Sequence, residues 1–134
     1  MLKEHAEHFY LNDGCNCAEA LLLAANAEYG LGLPDEAAKL MGGYGGGIGC
    51  GSACGALLGA VAAYGALRMG RRAHETPDFK EQCARLAGDF RRRLGELDCG
   101  ALKERYATGQ QRCLTVVLAA CDALESLLAE TKGA

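Results

Sequence analysis

Apolar residues recur at three- and four-residue intervals along most of this chain, and no stretch reads as a convincing strand. Leu2, Ala6, Phe9 and Tyr10 form the apolar stripe of a first helix that stops near Asp13-Gly14. A second helix runs from about Cys17 to Tyr29 and is closed by Gly30 and Gly32. Pro34 suits the first turn of a short third helix reaching Met41. A central helix spans Ala53 to about Arg68. Thr76-Pro77-Asp78 then reads as a helix start, with a capping hydroxyl, a proline and an acid. Phe79, Cys83, Leu86, Phe90 and Leu94 follow at helical spacing. A short turn over Asp98 to Tyr106 leads into the last helix, where Leu114, Val117, Leu118, Cys121, Leu124 and Leu128 keep the cleanest period. The pattern predicts an all-α fold: one domain over residues 1–134, a compact bundle of five or six helices, with a glycine-rich loop before a buried central helix.

The glycine-rich loop is the sharpest break in that pattern. Seven of the ten residues from Gly42 to Gly51 are glycine, and Cys50 and Cys54 stand at its end. Bare backbone can approach a bound group closely and turn its N–H groups inward. Downstream, Gly51, Gly55, Gly59 and Ala63 recur every four residues, a groove in which another backbone can pack. The run matches neither the phosphate loop Gly-x-x-x-x-Gly-Lys-Ser/Thr nor a dinucleotide loop, which follows a strand. Leu40 to Leu67 is also 28 residues without a charge. Its first half is mostly glycine, however, so the stretch predicts a buried helix in a bundle and not a membrane span.

Half of the residues are apolar and 23% are charged, as in globular proteins. The net charge of −3 argues against a nucleic-acid binder, and the basic clusters Arg71-Arg72 and Arg91-Arg92-Arg93 alternate with Glu75, Asp89 and Glu96 as on a solvated helix face. The N-terminus has no apolar signal region. With eight cysteines this predicts a reducing, cytoplasmic location, where thiols serve metal or redox chemistry more often than disulfide scaffolds.

Three of those cysteines share a local context. Asn16 precedes Cys17, Ser52 precedes Ala53-Cys54, and Asp98 precedes Cys99, so a preferred N-cap residue leads each thiol into the first turn of a helix. Glu19 completes a capping box with Asn16. Unpaired N–H groups and the helix dipole at that end stabilise a thiolate and lower its pKa. Cys113 also begins a helix, with Thr108 or Gln110 as its cap. Cys83 and Cys121 fall on apolar stripes as small core residues. Cys15 and Cys50 flank the first two sites and are additional ligand or resolving-thiol candidates. His5 and His8 lie one helical turn apart, a metal-binding spacing, but beside Glu4 and Glu7 they read as a solvated face. No Cys-x-x-Cys-His exists, so no covalent haem is expected.

The segment Cys54-Gly55-Ala56-Leu57-Leu58-Gly59 resembles the Cys-Gly-Ala-x-x-Gly motif of a redox-active protein family defined by four cysteines, the C-GCAxxG-C-C family. Asn16-Cys17-Ala18-Glu19-Ala20 looks like its first cysteine segment, Gly45-Gly46-Gly47-Ile48-Gly49 like the glycine run before its central motif, and Asp98-Cys99 and Cys113 stand where its third and fourth cysteines belong. The domain is also similar to the non-haem part of split-Soret cytochrome, where an iron–sulfur centre accompanies haem. Cys15, Cys50, Cys83 and Cys121 are additions to the family pattern.

The resemblance implies an iron–sulfur cluster on Cys17, Cys54, Cys99 and Cys113, serving electron transfer or redox sensing. Backbone N–H groups of the glycine run, at Gly47 and Gly49, are the expected donors to its sulfurs. Two alternatives stand beside it. One is metal-free thiol–disulfide chemistry with Cys17 or Cys54 as the attacking thiol; the other is a structural zinc site, which usually takes closely paired cysteines that this chain lacks. The expected partner is an electron-transfer or thiol protein, with oxidoreductase activity and a homodimer both left open.

Overall fold

The computed structural model describes residues 1–131. It contains six α-helices: α1 (Leu2–Asn12), α2 (Cys17–Tyr29), α3 (Gly55–Arg68), α4 (Phe79–Leu94), α5 (Cys99–Tyr106) and α6 (Leu114–Glu130). A ten-residue 3-10 helix, Asp35–Tyr44, makes a seventh helix, and single turns fill some of the connections. Among the described residues there is no strand, only the isolated bridges Ala53–Asp98 and Thr108–Arg112. The all-α expectation is met; the count exceeds five or six because Asp98–Tyr106, expected as a turn, winds into α5. Gly100 masks that helix in the sequence, and a single buried residue near its middle, Leu102, is too little to show a period.

A local cap sets the start of α2, and pairing with a distant segment moves the start of α3. At α2 the expected capping box forms: the Glu19 N–H donates to Asn16 Oδ1 at 2.8 Å, and the Asn16 N–H donates to Glu19 Oε1 at 2.9 Å. The central helix α3 starts at Gly55, two residues later than expected, and Ser52 does not cap it. Ala53 is held extended by the bridge to Asp98, where the Cys54 N–H donates to Leu97 O at 2.8 Å and the Cys99 N–H to Ser52 O at 2.6 Å. Thr76 does not cap α4 either. Its hydroxyl accepts from the Gly70 N–H and donates to Arg72 O, closing the preceding loop instead. The uncharged stretch 40–67 is thus divided among the 3-10 helix, the glycine loop and α3, and among the described residues no helix is long and apolar enough to cross a membrane.

Small residues set the layout of the centre. α2 packs on both α1 and α3, while α6 packs on α1, α3 and α4. A Cβ on Gly59 would lie 2.6 Å from Ala18 O and 2.8 Å from Leu21 Cβ, so the α2–α3 contact exists only because that position is bare. Ala60 and Ala63 continue the buried face of α3, which ends at the fully buried Tyr64. Tyr64 donates its hydroxyl proton to Gln82 of α4 at 2.6 Å and stacks on Phe79, so this large polar group of the core is satisfied. Leu2, Leu21, Leu86, Phe90, Val117 and Leu124 fill the rest.

Gly59 and Gly88 therefore respond oppositely to the same substitution. Gly59→Ala is expected to destabilise the chain by about 1–3 kcal/mol through overpacking. Gly88 of α4 is exposed, with nothing within 4 Å of an added Cβ. Gly88→Ala is expected to stabilise it by about 0.5–1 kcal/mol. Urea unfolding of both variants measures the pair.

Candidate functional site

α2, α3, α5 and α6 all begin at one cavity. Cys17 is the first residue of α2, Cys54 stands at the N-cap of α3, Cys99 is the first residue of α5, and Cys113 stands at the N-cap of α6. All four line a single cavity of about 420 Å³. The four thiols singled out in the sequence, which span 97 positions of chain, are thus neighbours in space. The bridge Ala53–Asp98 joins the second and third of them, since it pairs the strand-like residues just before α3 and α5.

The other cysteines stand elsewhere. Cys15 is buried and donates weakly to Asp13 O at 3.9 Å. Cys50 is exposed on the glycine loop and donates to Gly47 O at 3.4 Å. Cys121 is fully buried in the core, and burial pushes its thiol up to about 12. Cys83, expected in the core, is only half-buried at the edge of α4, with its thiol also raised by burial. None of these four lines the cavity. His5 stands 3.7 Å from Glu28, and His8 is exposed.

The glycine loop supports the cavity by close packing. Gly47 has φ +64, and a Cβ there would meet Ser52 N at 2.5 Å and Cys99 Cβ at 2.7 Å. A Cβ on Gly55 would lie 2.6 Å from Cys17 Sγ, which is how α3 comes down onto the first thiol. Asn16, besides capping α2, donates its side-chain amide to Gly42 O at 3.0 Å and so ties the run to the first cysteine. Gly46 lines the cavity itself. Gly49 stands apart, with φ +70 and no atom within 4 Å of an added Cβ.

Cys17 and Cys54 line the cavity together and act on each other's titration as a pair of thiols sharing one proton. Cys17 is lowered to about 7, first by the hydrogen bond from Cys54 and then, against the cost of burial, by backbone N–H groups including those of Ala18 and Ala56. Those amides belong to the first turns of α2 and α3, so two helix ends stabilise one thiolate. Cys54 is pushed up, chiefly because it keeps the shared proton. Cys99 and Cys113 are raised mainly by burial, and Lys103 opposes the rise in both.

Sequence reasoning missed three wall residues. Tyr10, assigned to an apolar stripe, accepts the Cys113 N–H on its hydroxyl oxygen at 3.1 Å. Arg112 stacks its guanidinium over the Tyr10 ring, 4.1 Å from the centroid. Lys103 is one turn beyond Cys99 on α5. The lining holds these two cations and no carboxylate. Only the bulk charge was visible beforehand, and the chain as a whole is acidic.

Four thiols gathered at one cavity of a helical bundle, with the Cys17 thiol lowered to about 7, place the most reactive side chains of the chain in one space. The chain belongs to the family described as "Putative redox-active protein (C_GCAxxG_C_C)", whose model matches residues 15–127. That description gives the class a redox role. No curated protein and no solved structure matches the chain.

Two measurements follow from this geometry. Alkylation of Cys17 in the reduced, metal-free chain should rise with pH through a midpoint near 7. Below the midpoint the pair is neutral; above it Cys17 is the anion, and Cys54→Ala should carry the midpoint upward because the main stabilising donor is gone. Among the glycines, Gly49→Ala should cost only the strain of its left-handed backbone, about 1–2 kcal/mol. Gly47→Ala adds a backbone collision to the same strain and should cost several-fold more, as read by chemical unfolding.

Proposed function

We propose that this chain is an electron-transfer or redox-sensing protein that holds an iron–sulfur cluster on Cys17, Cys54, Cys99 and Cys113. The observation that carries the reading is the convergence of four helix-start thiols on one cavity. Among the described residues no three His, Cys, Asp or Glu side chains stand together as ligands for a single ion. Structural zinc draws its ligands around one centre, whereas the cysteines of a cluster are shared among more than one iron atom. A cavity of about 420 Å³ with an all-thiol donor set suits such a group.

When bound, the cluster would supply exchange of single electrons, and the chain's own residues would set the conditions for it. Cys17 offers its thiolate near neutral pH, and Cys54 releases the shared proton on ligation, since ligating thiols must be deprotonated. Lys103 and Arg112 offset negative charge from the wall. Leu102 and Val116 line the same space with apolar surface and limit the entry of water.

The pairing of a lowered Cys17 with Cys54 on the same cavity favours a second reading, thiol–disulfide exchange without metal. In it the Cys17 thiolate attacks a sulfur of a partner's disulfide and releases one partner thiol. Cys54, on losing its proton, then attacks the mixed disulfide, leaving a Cys17–Cys54 disulfide and a fully reduced partner.

Iron and acid-labile sulfide measured on anaerobically purified protein separate the readings. The cluster reading expects brown protein with iron and sulfide in similar amounts, lost on Cys→Ser at each of the four positions and kept in Cys83→Ser. Colourless, iron-free protein that oxidises to a Cys17–Cys54 disulfide would overturn it in favour of the second.

A further inference from the structure

Tyr10 lies in α1, upstream of the family-matched residues 15–127, yet it lines the sulfur cavity. Its hydroxyl oxygen accepts the Cys113 N–H, a bond between residues 103 positions apart. Cys113 stands at the N-cap of α6, where no side chain makes a capping bond, so its backbone is oriented from outside its own turn. Arg112, just before it, holds the same tyrosine twice. The guanidinium lies over the Tyr10 ring and also donates to the Tyr10 carbonyl. Arg112 adopts φ 51, a left-handed conformation unfavourable for a non-glycine residue. It persists because the Arg112 and Thr108 backbones exchange two hydrogen bonds, at 2.7 and 2.9 Å. The strained loop that delivers Cys113 is therefore closed on itself and pinned to α1.

We infer that Tyr10 is a positioning residue of the sulfur site: clamped by Arg112, its hydroxyl fixes the backbone of Cys113 and so holds this thiol at the cavity wall. The ring alone explains burial and packing, which phenylalanine would reproduce. The hydroxyl, by contrast, is what the Cys113 N–H needs. The consequence for cluster binding rests on the function proposed above; the placement of Cys113 does not. In the cluster-bearing protein, a loosened Cys113 would be the weakest of four ligands.

The test compares the full chain with Tyr10→Phe, Arg112→Gln and the double variant, all reduced and freed of metal. Iodoacetamide alkylation is followed cysteine by cysteine by mass spectrometry, with Cys83 as an internal reference remote from the cavity. Tyr10→Phe is expected to speed Cys113 alkylation about five-fold relative to Cys83, the scale of one lost hydrogen bond. Arg112→Gln, at an exposed side chain, should move the same ratio without touching the core. The double variant should exceed neither single change by much, because the two residues act as one clamp. An unchanged Cys113-to-Cys83 ratio in both single variants would overturn the inference, as would a rise shared by every cysteine, which marks general loosening. In anaerobic preparations Tyr10→Phe should also retain less iron than the unmodified chain. Iron-free unmodified protein overturns the cluster reading alone, and the alkylation ratio still decides the role of Tyr10.

Discussion

Four helix N-termini meeting at one cavity is an arrangement that electrostatics disfavours when nothing negative lies between them. Each end carries partial positive charge and unpaired N–H groups. Lys103 and Arg112 add whole charges of the same sign to the wall. The Cys17 thiolate meets this demand in the reduced protein: it takes N–H groups from α2 and α3 and a proton donor from Cys54. Thiols are well suited to such a place. They are neutral when protonated and anionic when needed, so the bundle can close around them and still present charge to a soft metal or a disulfide.

Close backbone approach is what allows four starts to fit around so small a space. Gly55 lets α3 reach Cys17, Gly59 lets it lie on α2, and Gly47 lets the glycine loop pass beside Ser52 and Cys99. Asn16 joins two of these functions, capping α2 with its oxygen and holding Gly42 with its amide nitrogen. The loop's ordering thus has a visible counterweight in packing. Its glycines do not act alike, since Gly47 is closely walled while Gly49 stands free.

The periodic parts of the bundle were readable because their signals are local. α2 shows its capping box and its closing Gly30, and α6 shows an apolar stripe of which Leu114, Val117, Cys121 and Leu124 are buried. The placing of Cys17, Cys54 and Cys99 at helix starts was visible too, although of the polar residues before them only Asn16 makes its capping bond and neither Ser52 nor Asp98 does. The misplaced features are those that a partner outside the expected helix decides. Ser52 resembles a cap but spends its backbone on Cys99, and Thr76 resembles a cap but closes a loop onto Gly70 and Arg72. Cys83 keeps the spacing of a core residue, but the edge of α4 leaves it half-covered.

By itself, then, the order of residues determined that the chain is helical, where glycine permits tight contact, and which thiols sit at helix starts, because each of these depends on neighbours a few positions away. Tertiary structure decided which helix starts face one another and what charge surrounds them. That is how Tyr10, an apolar-stripe residue by its spacing, became the acceptor for Cys113, and how an acidic chain came to set two cations and no carboxylate on the wall of its sulfur cavity. Contacts between residues a hundred positions apart leave no period and no motif, since they form only when packing brings their helices together.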